Sequence, residues 1–536
     1  MAIEHEVIVI GAGMNGMYQM HRLQQAGIDA IALEANADVG GTWFNNRYPG
    51  CRFDVESYSY AFFFSEELIA EWDWAERFSG QPENYRYTRL VAEKTNIRDR
   101  IRFNTRVESA AYQADSASWK LVTEDGQEYS CRYLILSVGL LSRKTMPNLE
   151  GMETFRGPSF HTLNWPHEGV DLKGKRVAVI GTGSSGVQVI QTIAPDVERL
   201  TVFQRRPNWC APLHNSAIPR EEMEEIRAKY ADIIEYCHNS PGGLMYEPDR
   251  RGYFNVTPAE RRELWEKLYA EPGFGILFRN FVEIFMDEEA NADLTAFIAE
   301  KIRGRVNDPV LAEKLIPKDH GFGIQRIPLE IGYYETYNRD NVELVSLQDE
   351  PIVRITPDGI QTEKRHHDFD VIVYATGFFA GMGSYLSMDI LGIDGLTLAE
   401  KWKHGPRTLM GMMVHGFPNL LMPVGPQSGA ASVNYPRAIE MCVNWVTALL
   451  EYMRENGKTQ LEATSEAEEG WSREARRMAD KFLSRKAKNW VNGFNPNEPD
   501  APTQITEAVG YAGGNPKYRH LLNRLAESDY RGIMIS

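Results

Sequence analysis

The feature that most constrains this chain is a unit that occurs twice: a short β-branched strand, a Gly-x-Gly-x-x-Gly turn, and a helix. Glu6-Val-Ile-Val-Ile10 runs into Gly11-Ala-Gly13-Met-Asn-Gly16, and Met17 to Ala26 carries helix formers. Lys175 to Ile180 runs into Gly181-Thr-Gly183-Ser-Ser-Gly186, and Val187 to Ala194 continues as helix. Such glycines let the backbone turn and bring a helix N-terminus, with its unpaired N–H groups and dipole, up to a pyrophosphate. The spacing predicts an α/β chain with two Rossmann-like dinucleotide-binding folds.

The two copies differ at the end of their next strand. Ile28 to Leu33 ends in Glu34, eighteen residues past Gly16, where a carboxylate accepts hydrogen bonds from a ribose hydroxyl pair. Eighteen residues past Gly186 stands Gln204, followed by Arg205 and Arg206. An acid there would repel a 2′-phosphate, whereas two guanidiniums invite one through charge-assisted hydrogen bonds. The expected ligands are FAD in the first fold and NADPH in the second.

Composition narrows the class. A chain of 536 residues, 43% hydrophobic and 25% charged, has length for several packed cores. Its formal net charge of −16 argues against a nucleic-acid partner, which requires a basic face. Five scattered cysteines without CxxC or His/Cys ligand spacing read as reduced, buried thiols, with no structural metal. The N-terminus lacks the basic region of a signal peptide, and no apolar run is long enough to span a bilayer. A cytoplasmic protein with no membrane partner, monomer or homodimer, is expected.

Between the two units, Gly40-Gly41-Thr42-Trp43 to Asp54 forms a loop rich in glycine, aromatics and charge, of the kind that lines a cofactor. Tyr133 to Gly139 reads as a strand closing the first half of the first fold. From about Arg220 to Lys314 the pattern changes to charged helices, one opening at the capping-box spacing Thr257-Pro258-Ala-Glu260. The chain returns through Gln325-Arg326 and a helical segment from Glu330 to Arg339, and Asn341 to Val345 reads as a strand of the second fold. Val371 to Phe378, ending in Ala375-Thr376-Gly377, is taken as re-entry into the first fold. A final capping-box spacing stands at Ser465 and Glu468.

These readings divide the chain into a discontinuous FAD-binding domain (1–145 and 366–536), an inserted NADP-binding domain (146–215 and 321–365), and a helical insertion (216–320). The polar, Asn/Pro-rich stretch 489–502 reads as a mobile loop. At the junction lies Phe155-Arg-Gly157-Pro-Ser-Phe-His161-Thr-Leu-Asn-Trp165. His161 there reads either as a buried, hydrogen-bonded structural histidine or as part of a hinge that sets how the inserted domain meets the first.

Phe155-x-Gly157-x-x-x-His161-x-x-x-Trp165, standing between two Gly-x-Gly-x-x-Gly turns, resembles the fingerprint of Baeyer–Villiger monooxygenases. Gly41-x-Trp43, Tyr48-Pro-Gly50, Asp54 and Ala375-Thr-Gly377 agree with the cyclohexanone-monooxygenase-type branch. Asn208 to Pro212 and Glu313 to His320 are similar to members acting on bulky cyclic or terpenoid ketones. The resemblance implies that NADPH reduces FAD, that the reduced flavin captures O2 as a C4a-peroxyflavin, and that this attacks a ketone to give an ester or lactone. It implies Arg326 as the residue stabilising developing negative charge and Asp54 as its orienting partner. Gly11, Gly13, Gly16, Glu34, Gly41, Thr42, Trp43, Asn45, Arg52, Asp54, Val55, Tyr60, Val107 and Tyr435 would contact cofactor. Thr182, Gly183, Ser184, Ser185, Gly186, Gln188, Arg205, Arg206, Gln325, Arg326 and Trp490 would hold NADP.

Gln325 departs from the lysine usual before the catalytic arginine, and Arg206 stands where threonine is common. NADPH is nonetheless expected to remain preferred. The loop after Trp490 also departs from the usual pattern. The rival readings are an N-hydroxylating or sulfur-oxidising flavin monooxygenase, which needs no active-site arginine, and a redox-sensing flavoprotein without turnover.

Overall fold

The computed structural model describes residues 3–429, 434–487, 492–493 and 507–536. Trp490, nearly all of the stretch expected to be mobile, and residues 430–433 lie outside them. Two main sheets organise the chain.

In the first, His5–Ile10 lies between Ala30–Leu33 and Glu128–Leu136, parallel to both. Val7, Ile8 and Val9 are fully buried, as expected for a parallel strand covered on both faces. Helix Met14–Gln25 packs on the long helix Tyr435–Glu455. Polar pairs, Tyr18 Oη to Asn444 Oδ1 at 2.8 Å at the rim and Gln19 Nε2 to Thr447 Oγ1 at 3.1 Å in the interior, fix the register of that packing. Two short strands far along the chain complete this eight-stranded sheet: Asp389–Leu391 pairs with Val107–Gln113, and Leu420–Leu421 with Glu128–Leu136.

The second sheet has five strands, all parallel, in the order Val342–Ser346, Arg199–Gln204, Arg176–Ile180, Val371–Tyr374, Ser159–His161. This corrects one reading. Val371–Tyr374 does not re-enter the first fold; it lies between the strand that opens the second fold and the strand of the Phe155–Trp165 stretch. The chain therefore returns to the first fold only after Ala375, not at residue 366.

The reason is visible at the glycine turns. Gly11 has φ +101°, and a Cβ built there would lie 2.6 Å from the Ser137 carbonyl oxygen. Gly181 has φ +109°, and its Cβ would collide with the Ala375 carbonyl. Ala375 thus does for the second fold what Ser137 does for the first: it closes the sheet against the turn.

Helices from Arg220–Ala228 to Pro309–Leu315 form the insertion. Thr257 caps its helix through the capping box read from sequence. Two other local expectations shift. The segment after Glu330 is helical only at Tyr333–Thr336, because Leu329–Glu330 pairs in parallel with Ala211–Pro212. The helix Ser465–Ala479 is capped by Thr464, whose side chain accepts from the Ala467 N–H, while Glu468 is buried and accepts from the His415 N–H.

The two crossings between the folds lie side by side. The Thr145 N–H donates to the Gly377 carbonyl at 2.9 Å, the Phe379 N–H to the Arg143 carbonyl at 3.0 Å, and Thr376 Oγ1 to the Thr145 carbonyl at 2.6 Å. His161, 3% exposed, joins this ribbon. Its Nδ1 accepts from the Leu163 N–H at 3.1 Å, so its Nε2 carries the proton and donates to the Gly377 carbonyl at 3.1 Å. Burial, and then the charge of Lys144, push its pKa down to about 4. All five cysteines are free and buried.

Candidate active site

Neither helix that follows a glycine turn is capped by a side chain; Gly13 and Gly183 stand at the N-cap positions. Their first N–H groups are left for an anion. Beside the first turn, Glu34 is buried, accepting from the Ala12 N–H at 2.6 Å and the Asn36 N–H at 2.8 Å. Burial pushes its pKa up, and these donors oppose the shift. The Thr105 N–H donates to the Glu34 carbonyl, which brings the segment leading to Val107 to the same corner.

The loop after Gly40 turns through a short helix, Thr42–Asn45, and then spans both folds. Trp43 Nε1 donates to Tyr60 Oη at 3.2 Å, and Val55 and Tyr60 are buried beneath. Tyr435 opens the long helix close to Tyr60, with its pKa pushed up by burial and then by that neighbour. Tyr48 Oη donates to Gln188 Oε1 at 2.9 Å, and Gln188 Nε2 donates to the Arg52 carbonyl at 3.1 Å. Gly50 sits so close to this helix that a Cβ would lie 2.6 Å from the Gln188 carbonyl. The loop of the first fold is thereby seated on the first helix of the second.

Asp54 and Arg326 meet at this seam. Arg326 Nη2 donates to Asp54 Oδ2 at 3.1 Å, and the Leu329 N–H approaches the same oxygen at 3.4 Å. Among the described residues, Asp54 Oδ1 is buried without a partner. Burial raises the Asp54 pKa, with the Arg326 charge pulling the other way. The Arg326 side chain is 37% exposed, its guanidinium lies 4.8 Å over the Phe274 ring, and its other arm donates to the Ile327 carbonyl. One end of the pair is fixed and dry; the other reaches open space.

Other expected residues are placed differently. Arg52 Nη1 is engaged by Glu76 Oε2 and the Phe78 carbonyl, both at 2.9 Å. Gln204 is buried and donates to the Lys314 carbonyl at 2.7 Å, so it faces the insertion. Thr182 Oγ1 donates to the Arg206 carbonyl at 2.9 Å, Arg206 pairs with Asp319 at 3.3 Å, and Arg205 is exposed. Ser184 and Ser185 lie in the first helical turn after Gly183, and Gln325 is half-buried beside Arg326. Phe274, Asp319 and the Tyr48–Gln188 contact were not legible as site features, because each depends on where the insertion folds back.

Two parallel-sheet nucleotide folds, each with an uncapped helix N-terminus and joined where a buried acid meets a part-exposed arginine, define an oxidoreductase class that handles two dinucleotides. The flavin-binding monooxygenase-like family model matches residues 4–230. The chain is 42% identical to the 2-oxo-Delta(3)-4,5,5-trimethylcyclopentenylacetyl-CoA monooxygenase of Pseudomonas putida, over 99% of this chain and 98% of that protein. It is 36% identical to a Baeyer–Villiger monooxygenase of Pseudooceanicola batsensis, over 99% and 96%. The solved structure of OTEMO in complex with FAD and NADP matches it with a TM-score of 0.95 at 41% identity, over the whole of both chains. The chain belongs to the Baeyer–Villiger monooxygenases.

Proposed function

We propose that the protein oxidises a bulky cyclic ketone to an ester or lactone, with Arg326 and Asp54 at the reacting centre. Ketone, O2, NADPH and a proton become ester or lactone, water and NADP+. FAD, once reduced by NADPH, supplies the activation of O2 that no side chain here can perform.

The observation that carries this reading is the Asp54–Arg326 pair at the seam of the two nucleotide folds. Arg326 is a permanent, forked cation whose side chain is partly open to solvent, suited to stabilising negative charge that develops on oxygen. Asp54 holds that cation in place through Oδ2. The turn at Gly11, Gly13 and Gly16 would hold the FAD pyrophosphate, with Glu34 toward the ribose and Gly41 to Asn45, Val55, Tyr60, Val107 and Tyr435 around it. Thr182 to Gln188, Arg205, Arg206, Gln325 and Trp490 would hold NADPH. The uncapped helix starts fit both groups. No helix among the described residues is long and apolar enough to cross a membrane; we assign the protein to the cytoplasm, as a monomer or homodimer without a nucleic-acid or membrane partner.

The test is a panel of ketones that includes cyclohexanone and a bulky cyclic ketone, with products identified by mass spectrometry. Lactone formation by the wild type, lost in Arg326→Ala while NADPH still bleaches the flavin, is the expected result. Oxidation of amines or sulfides with no ketone product would overturn it.

A further inference from the structure

Glu56 follows Asp54 by two residues and is also a buried carboxylate, yet the reaction as described makes no use of it. Its Oε1 accepts from Tyr246 Oη, and its Oε2 has no partner among the described residues. Tyr246 belongs to the helical insertion, so this bond joins the insertion to the Asp54 loop. The same hydroxyl accepts from the Phe274 N–H at 2.9 Å. Phe274 is the residue whose ring lies 4.8 Å beneath the Arg326 guanidinium.

The turn that delivers this ring is built around the hydroxyl. Gly273 has φ +79°, and a Cβ there would run into Tyr246 Oη and lie 3.3 Å from Glu56 Oε1. Only a residue without a side chain lets the tyrosine–glutamate bond cross the turn. The Gly273 N–H is held by the Leu213 carbonyl at 3.1 Å, and Phe278 packs on both Phe274 and Tyr246, with ring centroids 5.7 and 6.0 Å away. An Oη that donates to a carboxylate and accepts from a backbone N–H has both of its roles filled, which fixes the ring below it.

We propose that Glu56 and Tyr246 are positioning residues for Arg326: their hydrogen bond sets the Phe274 ring as the platform that holds the guanidinium against Asp54. A side chain with a third of its surface exposed would otherwise sample several rotamers, and misplacement of a charge by about 1 Å costs transition-state stabilisation steeply. Because the effect passes through Arg326, it rests on the role of that residue in oxygen transfer.

Holoenzyme variants Tyr246→Phe, Glu56→Gln, Arg326→Lys and the double variant Tyr246→Phe/Arg326→Lys test this. Tyr246→Phe is expected to keep flavin reduction by NADPH within about twofold while oxygenated product per NADPH falls about five- to tenfold. Glu56→Gln retains an acceptor for the hydroxyl and is expected to stay within about twofold of wild type. In the Arg326→Lys background the tyrosine change is expected to add no more than about a twofold loss. A crystal structure of Tyr246→Phe is expected to show the guanidinium displaced from the Phe274 ring. Equal proportional losses in both backgrounds, an unchanged product ratio, or an undisplaced guanidinium would overturn the proposal. Wild-type product formation by Arg326→Lys would remove Arg326 itself from the reaction, and the positioning role with it.

Discussion

Asp54 and Arg326 stand 272 positions apart in sequence and 3.1 Å apart in space, the acid dry and the base partly open to solvent. That asymmetry gives the pair distinct responses to mutation. Arg326→Ala leaves a buried carboxylate uncompensated and should cost about 1–2 kcal/mol, less than for a fully buried pair because the arginine is part exposed. Asp54→Asn should recover that loss in the double variant. Burial raises the Asp54 pKa, so its favourable contribution is complete below the ordinary carboxylate pKa and is lost as pH rises through the folded value. The stability gap between Asp54→Asn and wild type should therefore shift in favour of the variant from about pH 4 upward, as measured by urea unfolding across pH.

His161 responds with the opposite sign. Its folded pKa is depressed to about 4, so its contribution is present above the ordinary histidine value of about 6.5 and is lost as pH falls from there. Acidification over that window should cost the wild type up to about 3 kcal/mol more than His161→Gln. His161→Ala should slow NADPH oxidation and its coupling to product while FAD stays bound. Unchanged kinetics would reduce the residue to packing.

Gly186 should separate the two dinucleotide sites. Any Cβ there collides with the Gly181 carbonyl, so Gly186→Ala must distort the second turn. The yellow, FAD-loaded protein should survive, while the KM for NADPH rises by about tenfold or more. Loss of flavin from this variant would show that the turn does not belong to NADPH alone.

Gln325 tests coenzyme choice. Arg205 and Arg206 should sustain a preference for NADPH without a lysine beside Arg326, and Gln325→Lys should widen that preference about tenfold through an added charge. Steady-state kcat/KM for NADPH and NADH decides it; comparable values in the wild type would contradict the assignment of the two arginines.

Both nucleotide folds were legible because strand, glycine turn and helix are local signals, and the capping box at Thr257 was legible for the same reason. The sheet that Val371–Tyr374 joins was not. Four buried apolar residues fit either sheet, and only the contact between Gly181 and Ala375 decides between them. Arg326 looked like any surface arginine until the family fingerprint singled it out, because its acid partner lies 272 positions earlier in the chain. Phe274 and Tyr246 carried no signal at all: an aromatic in a helical insertion reads as core, and their task depends on a turn whose geometry no spacing encodes.

The paired crossings at Arg143–Thr145 and Gly377–Phe379 bracket the whole second sheet in sequence. The second sheet has all its strands once Tyr374 has left the ribosome. The first still waits for Asp389–Leu391 and Leu420–Leu421, although its opening strand was the first to emerge. The unit that starts later thus has all its strands earlier, and until Asp389–Leu391 is made Val107–Gln113 has a partner on one side only.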